Sequence, residues 1–149
     1  MCHLLTAGQI KSNTTYINPT GTYKLDSKTI KKNGETYGYF GDMKIKLLEN
    51  SKIVLSLFVC KGAPSYNLGS FVDTLAYQNN IAIYTPEWDS TCKITFYFKK
   101  KGITVDQYQD NLNFGCGFGH GVFADGFYKK TSSKTPIIKN DEEELEGEE

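Results

Sequence analysis

Thr91-Cys92-Lys93-Ile94-Thr95-Phe96-Tyr97-Phe98-Lys99 changes character at every step. Ile94, Phe96 and Phe98 share one parity; Lys93, Thr95, Tyr97 and Lys99 share the other. Period two is the period of a β-strand, and one apolar plus one polar face marks a strand half buried in an antiparallel sheet. The same pattern spreads outward in both directions. Downstream, Ile103 and Val105 alternate with Thr104 and Asp106. Upstream, Ile81 and Ile83 alternate with Ala82 and Tyr84, and Met43, Ile45 and Leu47 with Lys44, Lys46 and Leu48. In Lys52–Cys60 the face carrying Ile53, Leu55, Leu57 and Val59 is apolar, and so are Val54 and Phe58 opposite.

Clusters of turn residues punctuate these runs. They are Asn33-Gly34, Glu49-Asn50-Ser51, Gln78-Asn79-Asn80, Lys100-Lys101-Gly102 and Asp125-Gly126. The pattern predicts strands over Thr20–Leu25, Thr36–Phe40, Met43–Leu48, Lys52–Cys60, Phe71–Tyr77, Ile81–Thr85, Thr91–Lys99, Gly102–Tyr108 and Gly121–Lys130. No segment has a helical period of useful length. The expected fold is therefore all-β: an antiparallel meander of 8–9 strands, closed into a small lipocalin-like barrel, with a sandwich as the alternative. Gly21-Thr22-Tyr23-Lys24 and Gly126-Phe127-Tyr128-Lys129 have matching patterns, so pairing of first and last strands completes the barrel and hides its edges.

The 149 residues suit one domain, and no stretch reaches the roughly 20 apolar residues of a membrane helix. Nine Phe, ten Tyr and one Trp exclude a wholly disordered chain. The balance of 17 Lys against 17 acidic residues conceals an asymmetry. Seven carboxylates crowd into Asp141–Glu149, which leaves 17 Lys and 10 acids before it, a body of net charge +7. The division expected is a polar tether at 1–19, a barrel at 20–131 and a disordered acidic tail at 132–149, the tail being a solvated run or an electrostatic lid on the body. A +7 body attracts anions, yet the lysines are scattered and Arg is absent. Without the bidentate guanidinium fork, specific nucleic-acid binding is not expected.

Chemistry-bearing residues are few. His120 and Asp125 have the types of a base and its orienter, and Ser65 or Cys60 of a nucleophile, but nothing in their spacing makes them converge. Glu87-Trp88-Asp89 has the look of a sugar site and the simpler reading of a polar turn. No enzyme, metal or cofactor is expected. The glycine-rich run Asn113–Gly126 lacks the strand-to-helix context of a phosphate loop, and reads as bulges and barrel corners anchored by Cys116. Cys92 and Cys116 flank neighbouring predicted strands and are expected to form a disulfide; Cys60 reads as a buried thiol. Cys2, directly after Met1 and before a polar stretch, reads as the lipid attachment site of a mature lipoprotein. The ten-residue connection Lys61–Ser70 is too long for a tight hairpin. Its Lys61, Ser65, Tyr66 and Asn67 are the candidate binding residues, the competing reading being an ordinary crossing with Tyr66 as a plug.

Cys92-Lys-Ile-Thr-Phe-Tyr-Phe98, Ile103-Thr-Val-Asp-Gln107 and Cys116–Lys129 with its Ala-Asp-Gly-Phe-Tyr ending resemble the C-terminal half of small exported bacterial β-barrel proteins, often lipoproteins. The Gly62–Asn67 loop is similar to one in the same group. The resemblance implies export to the bacterial cell envelope, as an outer-membrane or surface lipoprotein or in the periplasm, and two bridged cysteines; it implies no activity. A looser similarity in style is to periplasmic lysozyme inhibitors, where Lys61, Ser65 and Tyr66 would be the inserted residues. The expectation is a non-catalytic, lipid-anchored binding module with a protein or glycan partner at the envelope, touching membrane only through its anchor. The alternatives are an inhibitor of a lysozyme-type hydrolase and a carrier of small hydrophobic ligands.

Overall fold

A computed structural model describes residues 15–139. Its strands are β1 (Gly21–Leu25), β2 (Ile30–Lys32), β3 (Glu35–Leu48), β4 (Lys52–Gly62), β5 (Leu68–Ala76), β6 (Ile81–Tyr84), β7 (Lys93–Lys99), β8 (Gly102–Tyr108) and β9 (Gly126–Ser132), with one 3-10 turn at Gly115–Gly117. All strand pairs are antiparallel, in the order β5-β4-β3-β1-β9-β8-β7-β6, with β2 beside β3. Leaving β2 aside, strands adjacent in the chain are adjacent in the sheet at every step except from β5 to β6, and β1 meets β9 with Leu25 opposite Tyr128. This is the expected meander joined through its first and last strands.

Closure is not complete. β5 and β6 do not hydrogen-bond to one another. Across this seam the rings of Phe71 and Tyr84 stack at 3.7 Å, nearly parallel, and Phe96 meets Phe71 edge-on. Asp73, on the inward parity of β5, stays exposed beside the seam. An inward-pointing charge on an open edge discourages pairing with a foreign strand.

The turns follow local chemistry. Asn33-Gly34, Asn50-Ser51 and Asn79-Asn80 each place two successive residues at positive φ. That geometry matches the right-handed twist of the flanking strands, and Asn and Gly tolerate it best. Three sequence expectations need correction. The connection expected over Lys61–Ser70 spans only residues 63–67, because Phe58, Val59 and Cys60 still pair with Ser70, Gly69 and Leu68, so β4 runs on to Gly62 and β5 starts at Leu68 and not at Phe71. Thr36–Phe40 and Met43–Leu48 form a single strand, because Gly41 continues the pairing with Val59 instead of turning. The last strand begins at Gly126, not Gly121: residues before it close the barrel mouth. β2 escaped prediction because its three residues are all exposed and carry no alternation.

All eight strands of the ring contribute to one core, including Tyr23, Met43, Leu57, Leu75, Tyr84, Phe96, Ile103 and Tyr128. An eight-stranded barrel is just wide enough for such side chains to fill. The carrier reading needs a hollow interior, and this one is packed. At one end of the barrel lie the tight turns and residues 15–20, where the Tyr77 hydroxyl donates to the Ile17 carbonyl (2.6 Å) and Tyr23 to that of Pro19 (2.8 Å). Thr15–Pro19 thus contact the barrel that they were expected to tether. Past β9, Pro136–Lys139 lie along the outer wall of β3–β5. Cys2, the first 14 residues and Asn140–Glu149 lie outside the described residues.

Candidate contact surface at the loop end

Strand directions send every long connection to the opposite end. Residues 26–34 with β2, 63–67, 85–92 and 109–125 all emerge there. The plug of this mouth is Phe118, fully buried, and not Tyr66 as the loop reading allowed. A Cβ on Gly69 would sit 2.2 Å from the Phe118 ring, so the ring lies flat on the bare backbone of β5. Val122 and Ala124 follow Phe118 inward, and Gln107 satisfies this irregular segment. Its Oε1 accepts from the Ala124 N–H (2.7 Å) while its Nε2 donates to the Val122 carbonyl (3.3 Å). The expected glycine-rich corner is thus a lid, folded by the freedom of its glycines.

Cys92 and Cys116 form the expected disulfide, tying the 85–92 loop to this lid. Asp89 makes a second tie. One carboxylate oxygen accepts from the Cys116 N–H (3.0 Å) and the other from the Thr91 hydroxyl (2.6 Å) and N–H. The Thr91 hydroxyl, then the Cys116 N–H, hold its carboxyl below the ordinary carboxylate value, outweighing a small opposing effect of desolvation. A depressed folded-state pKa contributes stability that is fully present above the ordinary value, about pH 4, and is lost as pH falls from there through the lower folded-state value. Asp89→Asn should therefore destabilise the protein more at pH 7 than at pH 2.5, as read from urea unfolding at both. Equal losses at both would refute the charged role.

The four proposed binding residues are gathered at this end and braced. Lys61 and Asn67 close the base of their loop, the Lys61 N–H donating to the Asn67 carbonyl (2.9 Å). Both side chains reach the His120 carbonyl of the lid, at 3.4 and 3.3 Å. Ser65 accepts from the Asn67 N–H (3.3 Å). Tyr66, 37% exposed at φ 53°, donates its hydroxyl to Glu35 (2.7 Å) and accepts from the Thr36 N–H (3.1 Å). Glu35 raises the Tyr66 pKa through that hydrogen bond. Gly62, at φ 81°, is where β4 crosses β3: a Cβ there would lie 2.4 Å from the Gly38 carbonyl oxygen. The Ala63–Pro64 peptide that follows is cis. Cys60 is buried and free, its thiol near the Tyr66 carbonyl.

The geometry separates the pairs read from sequence as possible chemistry. His120 Nδ1 pairs with the Asn113 side chain, whereas Asp125 accepts from the Gln107 N–H (3.1 Å). Cys116 is consumed by the disulfide, and among the described residues no three His, Cys, Asp or Glu side chains gather as metal ligands. Sequence reasoning singled out only Tyr66 and Trp88 of a second group. Among the described residues, eight of the 13 large apolar side chains that stay exposed belong to this end: Ile30 and Tyr37, Tyr66 and Leu68, and Trp88, Tyr108, Leu112 and Phe114. The signal for the last three was their position in or beside the lid, off the parity of a strand core.

Comparison with known protein families, curated proteins and solved structures finds no match to this chain. Its class, a filled, disulfide-tied β-barrel with all long loops at one end, therefore rests on its own residues.

Proposed function

We propose that this protein is a non-catalytic binding module of the bacterial cell envelope, meeting a protein or glycan partner with the loop end of its barrel. One observation carries this reading. Four long connections converge on a single end, where a disulfide and side chain–backbone hydrogen bonds hold them, and exposed apolar side chains concentrate there. Binding residues are commonly carried on loops that a rigid scaffold positions, and holding them in advance lowers the entropic cost of association. The disulfide supports an oxidising compartment, as export requires. Attachment through Cys2 would present the loop end to partners. Inhibition of a lysozyme-type hydrolase has no separate support, since the polar atoms of Lys61 and Tyr66 are already engaged by His120 and Glu35.

A photo-crosslinker at position 65, at the loop end, should capture a discrete partner from envelope preparations, competed away by excess unlabelled protein. The same group at position 101, in the turn between β7 and β8, should not. Identical adduct patterns from the two positions would refute the loop end as the contact face.

A further inference from the structure

The +7 body hides a separation of charge. Residues 81–92 hold Glu87 and Asp89 and no lysine; residues 102–128 hold Asp106, Asp110 and Asp125 and no lysine. The fold brings these stretches together through the pairing of β7 with β8, the Cys92–Cys116 bridge and the Asp89–Cys116 hydrogen bond. Lys93 borders the group, opposite Tyr108 in the β7–β8 register. Most other lysines lie on the β2 hairpin, the outer wall or the turn end. Charges further apart than about 10 Å are largely screened at ordinary salt, so a partner feels this local field and not the sum over the chain.

Four large apolar side chains stand among these carboxylates. Trp88 is 66% exposed, Tyr108 60%, Leu112 52% and Phe114 74%. Trp88 rests over Gly117, where a Cβ would lie 2.9 Å from the ring. Tyr108 donates its hydroxyl to Asp110. Phe114 has φ 64°, a costly conformation for a bulky residue, and turns its ring to solvent. Core packing accounts for neither its exposure nor its backbone. Strain of this kind concentrates at binding sites.

Resting on the loop-end reading, we propose that the face formed by Glu87, Trp88, Tyr108, Asp110 and Phe114 docks an arginine- and lysine-bearing segment of a partner protein. Carboxylates take guanidinium groups in bidentate pairs. Aromatic faces take the same cations by their quadrupole, and Leu112 adds an apolar surface for the aliphatic stems. The disulfide and Asp89 hold both loops in advance, so little ordering is left to binding.

Trp88 is the chain's single tryptophan, so its emission reads this face directly. The oxidised full-length chain is titrated with deca-arginine, deca-glutamate and a neutral N-acetylglucosamine oligomer. Deca-arginine should change Trp88 emission saturably, and raising salt from roughly 20 to 500 mM should weaken it at least tenfold. Glu87→Gln with Asp110→Asn should raise the apparent Kd about tenfold, at an unaltered unfolding midpoint. Phe114→Ala should raise it about fivefold. No response to deca-arginine, an equal response to deca-glutamate, or indifference to the charge-neutralised variant would overturn the proposal. A salt-independent response to the neutral oligomer would overturn it in favour of a glycan. Crosslinking through position 65 without a deca-arginine response would sink this inference alone, and the loop-end reading would stand.

Discussion

Loss of the Cys92–Cys116 bridge should lower stability by about 3.5 kcal/mol, the chain-entropy value for closing a loop of this length. The two half-cystines are 24 residues apart, and both are buried in the core cluster. The bridge is the covalent tie between the lid and the loop beside it; the other is the hydrogen bond from the Cys116 N–H to Asp89. Without it the unfolded chain regains the freedom of the whole segment, and the lid is left to Phe118 and its hydrogen bonds, those to Asp89 and Gln107 among them. Urea unfolding of the oxidised chain and of Cys92→Ala/Cys116→Ala should differ accordingly, with a fall in Tm on the order of 10 °C. Limited proteolysis should move to residues 109–121. A double variant within 1 kcal/mol of the oxidised protein would show that the fold, and not the bridge, holds the lid.

Phe118→Ala should cost about 3–5 kcal/mol, the range for deleting a fully buried phenyl ring, and towards its upper half. The upper half is expected because the site cannot collapse. Cys116, two residues earlier, is fixed by its disulfide, and the Gly119 N–H is held by the Leu68 carbonyl (2.9 Å). The surrounding backbone therefore leaves a cavity instead of closing on it. Phe118→Leu keeps most of the volume and should lose less than about 1.5 kcal/mol. Gly69→Ala tests the same contact from the other side, since its methyl enters the space of the ring. A loss below 1 kcal/mol in Phe118→Ala would mean that the ring does not plug the barrel.

Much of the fold was legible because a half-buried antiparallel strand writes its two faces into alternate residues. Lys93–Lys99 is the clearest case, its inward parity buried and its outward lysines exposed. The Asn-rich turns were legible for an equally local reason, the positive φ that they require. The β6 segment shows where that legibility ends. Ile81-Ala82-Ile83-Tyr84 is apolar on both parities, and hydropathy favours burying the isoleucines. Pairing with β7 places Ala82 opposite Phe96 and Tyr84 opposite Ile94, so these two go inward and Ile83 faces solvent. The candidate loop was legible as an interruption, but not its bracing by Glu35, Thr36 and the His120 carbonyl, which arrive from distant parts of the chain.

The sequence by itself determined the all-β class, the meander, the meeting of first and last strands and the Cys92–Cys116 partnership. These depend on period-two alternation, short turns and proximity along neighbouring strands, all local quantities. Only the tertiary structure decided that Phe118 plugs the mouth, that β5 and β6 stay unjoined behind the Phe71–Tyr84 stack, and that an acidic aromatic face stands on a basic body. Each of those depends on which distant backbone passes close by. A glycine 49 positions away makes room for Phe118, and a disulfide 24 residues long brings Trp88 to Gly117. Such proximity is set by closure of the sheet and leaves no period in the sequence.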